Sequence, residues 1–102
     1  MSDTLYLGWT TCHGHDVAER LASDLVERKL VACVQIESIQ SIYRFEDELK
    51  NESELRLSLK FTEKNLHAVE SYIHANHPYD LPEWVVIKID HASAKYLQWA
   101  KG

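Results

Sequence analysis

At 102 residues, with 45% hydrophobic and 26% charged side chains, the chain suits a single domain over residues 1–102 with a real core, which excludes a disordered chain or a two-domain arrangement. Its 16 acidic residues outnumber 11 basic ones for a net charge of −5, and no run of Lys and Arg interrupts that balance. Nucleic-acid and anionic-membrane partners are therefore excluded, since binding phosphates needs a positive surface. No apolar run approaches the ~20 residues of a membrane span. Met1-Ser2-Asp3-Thr4 also lacks the basic-then-apolar start of a secretory signal, so a cytosolic protein is expected. Its cysteines, Cys12 and Cys33, are then expected as free thiols.

Thr4 to Thr11 reads as a strand, with Leu5, Leu7 and Trp9 on one face and Tyr6 and Gly8 on the other. Gly8 inside a strand marks the close approach of another backbone or a helix. From Asp16 to about Leu30 the period becomes helical, with Val17, Ala18, Leu21, Ala22, Leu25 and Val26 on one apolar face. Asp16 in the first turn and Arg28 and Lys29 in the last suit the helix dipole. A second strand runs from Ala32 to Phe45. Val34 and Ile36 share one face while Ile39, Tyr43 and Phe45 have the opposite parity, which predicts a bulge or bend near Ser38.

The polar stretch from Glu46 to Asn51 reads as a turn. The third strand, Glu52 to Thr62, alternates cleanly, with Leu55, Leu57, Leu59 and Phe61 inward and Glu54, Arg56, Ser58 and Lys60 outward. Glu63 to Asn76 is a second amphipathic helix, with Leu66, Val69 and Ile73 as its stripe and Thr62 as N-cap. Two prolines frame a rigid loop from His77 to Pro82. Trp84 to Asp90 forms a last strand, and Ala92 to Lys101 a short C-terminal helix. The order implies an α+β, ferredoxin-like βαββαβ sandwich with two helices on one face of an antiparallel sheet.

One length stands out. At ~3.3 Å per residue the second strand would reach ~46 Å, whereas a domain of this size has a radius of gyration near ~13 Å. The long hairpin between the second and third strands must bend or project, and a projecting ribbon bearing Ile, Tyr and Phe calls for partner copies.

Several short runs, in order and spanning nearly the whole chain, resemble the CutA divalent-cation tolerance family. They are Arg28-Lys29-Leu30-Val31-Ala32-Cys33, Ser41-Ile42-Tyr43, Leu59-Lys60, His77-Pro78-Tyr79, Pro82-Glu83 and Tyr96-Leu97-Gln98-Trp99. The most specific is His-Pro-Tyr followed by Pro-Glu. The resemblance implies a ferredoxin-like fold and a homotrimer formed through the long hairpins. It further implies a cytoplasmic location, a role in the response to metal ions such as copper, and no catalytic activity. The chain departs from the family pattern in places. Glu37-Ser38 stands where Pro-Gly is frequent, and Phe45-Glu46-Asp47 where Trp-x-Gly is. At the family's proposed copper-ligand positions stand Thr10, Asn76 and His77, so only His77 is retained as a good ligand.

Cu(II) or another divalent metal is the only cofactor implied, and no organic cofactor is. Copper favours imidazole donors, which His77 could supply, with Glu83 as a carboxylate across the proline loop. The alternative has His77 packing on Pro78 and Tyr79 and hydrogen-bonding the loop backbone. Cys12, His13 and His15 form a compact donor set in the loop before the first helix, though their spacing is not that of a tetrahedral zinc motif. Their alternative is an ordinary surface loop. His67, Glu70 and His74 share one flank of the second helix and read as a solvated face. Cys33, in an apolar neighbourhood, reads as a buried thiol, at the far end of the domain from Cys12. The resemblance also suggests that Lys60, Tyr79 and Glu83 form a polar cluster at a subunit boundary.

Two other functions share the fold. A PII-like trimeric small-molecule-binding signalling module would bind nucleotide phosphates, yet Glu46, Asp47 and Glu48 would repel them. An acylphosphatase-like enzyme would want an Arg in the loop after the first strand, and Thr10 to His15 contains none.

Overall fold

The computed structural model describes residues 4–102. Its strands are β1 (Leu5–Cys12), β2 (Cys33–Phe45), β3 (Glu48–Thr62) and β4 (Val85–Lys88). Its helices are α1 (His15–Glu27), α2 (Leu66–Asn76) and α3 (Ala94–Lys101), with a 3-10 turn over Glu63–Asn65 leading into α2. The strands form one antiparallel sheet in the order β2-β3-β1-β4, which is the ferredoxin-like arrangement.

The alternation of β3 sets the core. Leu55, Leu57, Leu59 and Phe61 point to one side and are buried there against Ala18, Leu21 and Leu25 of α1 and Val69, Tyr72 and Ile73 of α2. From β1, the helices cover the face of Tyr6, Gly8, Thr10 and Cys12, as the pairing of Gly8 with Leu59 and Thr10 with Leu57 requires. The more apolar Leu7 and Trp9 lie on the opposite face. Small side chains explain the choice, because they admit the covering groups closely. A Cβ on Gly8 would come within 2.6 Å of the Trp84 indole, so the close neighbour is a side chain rather than a backbone or helix. On the other face α3 packs by Tyr96, whose hydroxyl is 3.7 Å from the Cys33 thiol.

The helix ends differ from expectation. Thr62 precedes the 3-10 turn with extended backbone and makes no capping bond through its side chain. Among the described residues only Ser93 caps in that way, accepting from the Tyr96 amide at 3.2 Å. α1 stops at Glu27, and its end is closed by amide bonds from Lys29 to Val26 and from Leu30 to Leu25. Lys29 occupies the left-handed position of this motif, with φ 60, where glycine is usual.

The hairpin projects without a bulge. Its register runs unbroken from Cys33↔Lys60 to Phe45↔Glu48, so the bulge expected at Ser38 is absent. The change of phase is real but lies in the side chains. Val34 and Ile36 face the helices, whereas Ile39, Tyr43 and Phe45 face the opposite side. The turn is also shorter than expected, only Glu46 and Asp47, with φ 51 and 64. Two such left-handed residues make the type I′ loop that matches strand twist. Leu49, Lys50 and Asn51 are therefore strand, paired with Arg44, Tyr43 and Ile42. Polar residues hold this far half through cross-strand bonds, Gln40 to Asn51 at 2.7 Å and Ser53 to Gln40 at 3.0 Å. The ribbon stretches the molecule to 45 × 25 × 22 Å, and leaves Ile42, Phe45 and Leu49 exposed by 66%, 47% and 72%.

Candidate functional site

A cleft of about 910 Å³ opens between the far half of the hairpin and the loop that follows α2. Its loop wall is anchored by His77, which ends α2 and is buried. The His77 Nε2–H donates to the Thr11 carbonyl at 2.7 Å, and Nδ1 accepts the Tyr79 amide at 3.1 Å. Accepting at Nδ1 fixes the neutral tautomer. Burial favours the same form and pushes the imidazole pKa below its ordinary value.

Tyr79 stands edge-on to that imidazole, 4.7 Å between centroids, and its hydroxyl reaches Glu54 at 3.4 Å. Desolvation first, then the Glu54 charge, pushes the Tyr79 phenol upward. Glu54 and Glu52 share one face of β3. Glu52 accepts the Tyr43 hydroxyl at 2.6 Å and lies 3.6 Å from His13 Nε2. The bond to Glu52 is the main reason that the Tyr43 phenol is pushed up to about 12. His13 in turn lies 5.6 Å from the Tyr79 ring. The β1–α1 loop, the post-α2 loop and the hairpin are thus joined by two tyrosine–carboxylate bonds and one histidine.

The sequence candidates divide across the molecule. His13, Tyr79 and the exposed Glu83 line the cleft, with His77 buried behind it. Cys12 is fully buried in the core beneath α1 rather than exposed in a loop, and burial pushes its thiol upward. His15 opens α1 and faces a separate hollow beside Ser38 and Ser53. Lys60 lies near the base of the sheet, 5.6 Å over the Tyr96 ring and bonded to Gln35, apart from Tyr79 and Glu83. Cys33 is half-buried rather than buried, and both cysteines are free. Glu70 accepts the Trp84 indole N–H, while His67 and His74 are exposed. Asn76 donates to the Tyr72 carbonyl, and the buried Thr10 Oγ1 has no hydrogen-bond partner.

Among the described residues no three His, Cys, Asp or Glu side chains converge into a group able to hold a metal ion. The described residues of one chain therefore do not by themselves fit a metal centre. His77 could become a ligand only by giving up its bond to Thr11 or to Tyr79.

Sequence reasoning missed Glu52, Glu54 and Tyr43, because an outward glutamate on a half-solvated strand looks generic. A turn placed at Glu46-Asp47 would have set Tyr43 diagonally beside Glu52.

Residues 6–102 match the family model described as CutA1 divalent ion tolerance protein. The divalent-cation tolerance protein CutA of Thermus thermophilus is 36% identical over 89% of both chains. The solved structure of CutA from Synechococcus elongatus superposes with a TM-score of 0.93 at 36% identity, covering 97% of this chain and 88% of that one. A Nostoc protein described as PII-like protein CutA gives 0.87 at 33% identity, covering 94% and 93%. The chain spans 52% of the length of the chloroplastic CutA of Arabidopsis thaliana and 66% of the CutA homolog of Xenopus laevis.

Proposed function

The chain belongs to the CutA1 divalent ion tolerance family, and on that premise we propose that it acts without catalysis, as a cytoplasmic homotrimer that handles Cu(II) or another divalent ion. The observation that carries assembly is the ribbon. Ile42 and Leu49 on one face, with Phe45 on the other, stand in solvent beyond the cover of the helices. Burying apolar surface is worth about 25 cal/mol per Å², so three such side chains per copy favour association strongly. Among the described residues no helix is long and apolar enough to cross a membrane, so a bilayer spanned by helices is not what covers them.

Light scattering across a dilution series tests the assembly. Three masses of 11.8 kDa should persist at micromolar concentration, and a stable monomer would defeat the proposal. The metal would draw its ligands from more than one copy. His13, Asp80 and Glu83 are exposed donors of the cleft, and an assembly could bring Lys60 of one copy toward Tyr79 and Glu83 of another. Calorimetric titration of Cu(II) into wild type, His13→Ala and His77→Ala checks the ligand set. A weak isotherm unchanged by both substitutions would remove these histidines from it.

The cleft favours a second reading, a PII-like small-molecule-binding module, in line with the Nostoc protein's description. Its volume suits a small molecule. Spectral perturbation of cleft residues by a small ligand, with no metal present, would favour this reading over metal handling.

A further inference from the structure

We propose that the ribbon of one copy docks on the post-α2 loop of the next, with Arg44 between Asp80 and Glu83 and with Ile42 and Leu49 over Leu81. The inference rests on the assembly reading and names the two surfaces that meet.

Two patches of matching chemistry stand on the chain. On the ribbon, Arg44 pairs in register with Leu49, so the two side chains share one face, and Ile42 shares it two residues earlier. All three are exposed. The hairpin strands carry four cations. Lys50 and Arg56 pair with Glu48 and Glu37, and Lys60 bonds Gln35. Arg44 alone has no hydrogen bond or ion pair among the described residues.

On the loop the arrangement is the converse. Leu81 is 78% exposed and lies in sequence between Asp80 and Glu83, two exposed carboxylates with no cationic partner among the described residues. Pro78 and Pro82 stiffen this loop, and His77 pins its start to Thr11. An apolar centre flanked by acids thus answers a cation flanked by apolar side chains.

An exposed ion pair on its own contributes little. Here three apolar side chains close around it and exclude water, which strengthens the pair, and a guanidinium can bond two carboxylates at once. Because the two patches are different parts of the chain, the contact is head-to-tail, the kind that closes into a ring of copies.

The test uses the full chain in analytical ultracentrifugation at low salt. Arg44→Glu, and the double change Asp80→Lys with Glu83→Lys, should each weaken association about tenfold or more, with circular dichroism unchanged. Mixing the two variants should recover assembly, because each supplies the charge that the other's surface now needs. Dissociation of both variants without recovery on mixing would overturn the proposal, since a pair within one chain behaves in that way. Variants that associate as tightly as wild type would overturn it too, and would leave the assembly reading standing. Wild type that dilutes to a stable monomer would overturn both.

Discussion

Replacing Thr10 with Val should stabilise the protein by about 1–2 kcal/mol. Thr10 lies in β1 opposite Leu57, both residues fully buried, and its Oγ1 finds no hydrogen-bond partner. Leaving such a hydroxyl unpaired costs about 1–3 kcal/mol of desolvation. Val puts a methyl of nearly the same volume in its place and keeps the β-branched shape the strand prefers. Slight crowding from the larger methyl offsets part of the gain, which sets the lower figure. The assay is urea unfolding at one fixed protein concentration, because association shifts midpoints by mass action. The midpoint should rise with an unchanged slope. Thr10→Ser is the control, since it keeps the hydroxyl and loses the methyl, and should cost about 1 kcal/mol. A Val variant less stable than wild type, beside a Ser variant equal to it, would show that the hydroxyl is bonded and refute the reasoning.

Gly8→Ala should destabilise by about 1–3 kcal/mol, because its Cβ would lie 2.6 Å from Trp84 Cη2 and 3.2 Å from Phe61 Cε1; chemical denaturation would measure the loss. Lys29→Gly should raise stability by up to about 1 kcal/mol, since the φ of 60 suits glycine better than any residue with a Cβ, and the same denaturation assay reads it. For pH, burial depresses the His77 pKa in the folded state, so the folded protein favours the neutral ring. That contribution is complete above the unfolded value near ~6.5 and is lost as pH falls through the lower folded value. Stability measured from pH 7 downward should therefore fall less steeply in His77→Gln than in wild type, and parallel profiles would remove His77 as a source of acid sensitivity.

Much of the fold was legible because a single signal dominated each element. Leu55, Leu57, Leu59 and Phe61 alternate without exception, and any pairing that buries one of them buries all four. The apolar stripe of α1 was readable for the same reason, although Val26 at its margin is exposed. β1 was ambiguous. Leu5, Leu7 and Trp9 form the more hydrophobic set, yet the helices need the smaller Gly8 and Thr10 beneath them, and periodicity carries no information about clearance. The turn was misjudged because composition marked Leu49 to Asn51 as loop, whereas the ladder continues through them regardless of polarity. The cleft was legible only in part. His13, Tyr79 and Glu83 drew notice as chemically distinctive residues, but Glu52 and Glu54 acquire their place from a register that no local pattern announces. Cys12 was misplaced by a single residue of strand length. One more position in β1 turns a loop cysteine into a core one.

The unbroken register of the hairpin also governs how its length can change. Because successive side chains alternate faces, one inserted residue in β2 would turn every residue beyond it to the other side. Placed after Ser38, it would carry Tyr43 and Phe45 to the helix-facing side of the ribbon and Ile42 to the opposite one. The ribbon can therefore grow or shrink only by two residues in each strand at a time, a step of about 6.6 Å, unless a bulge absorbs the odd residue. Reach and chemistry are coupled in this arm: a descendant sequence can alter how far it extends only in even steps, or else exchange what its two sides present.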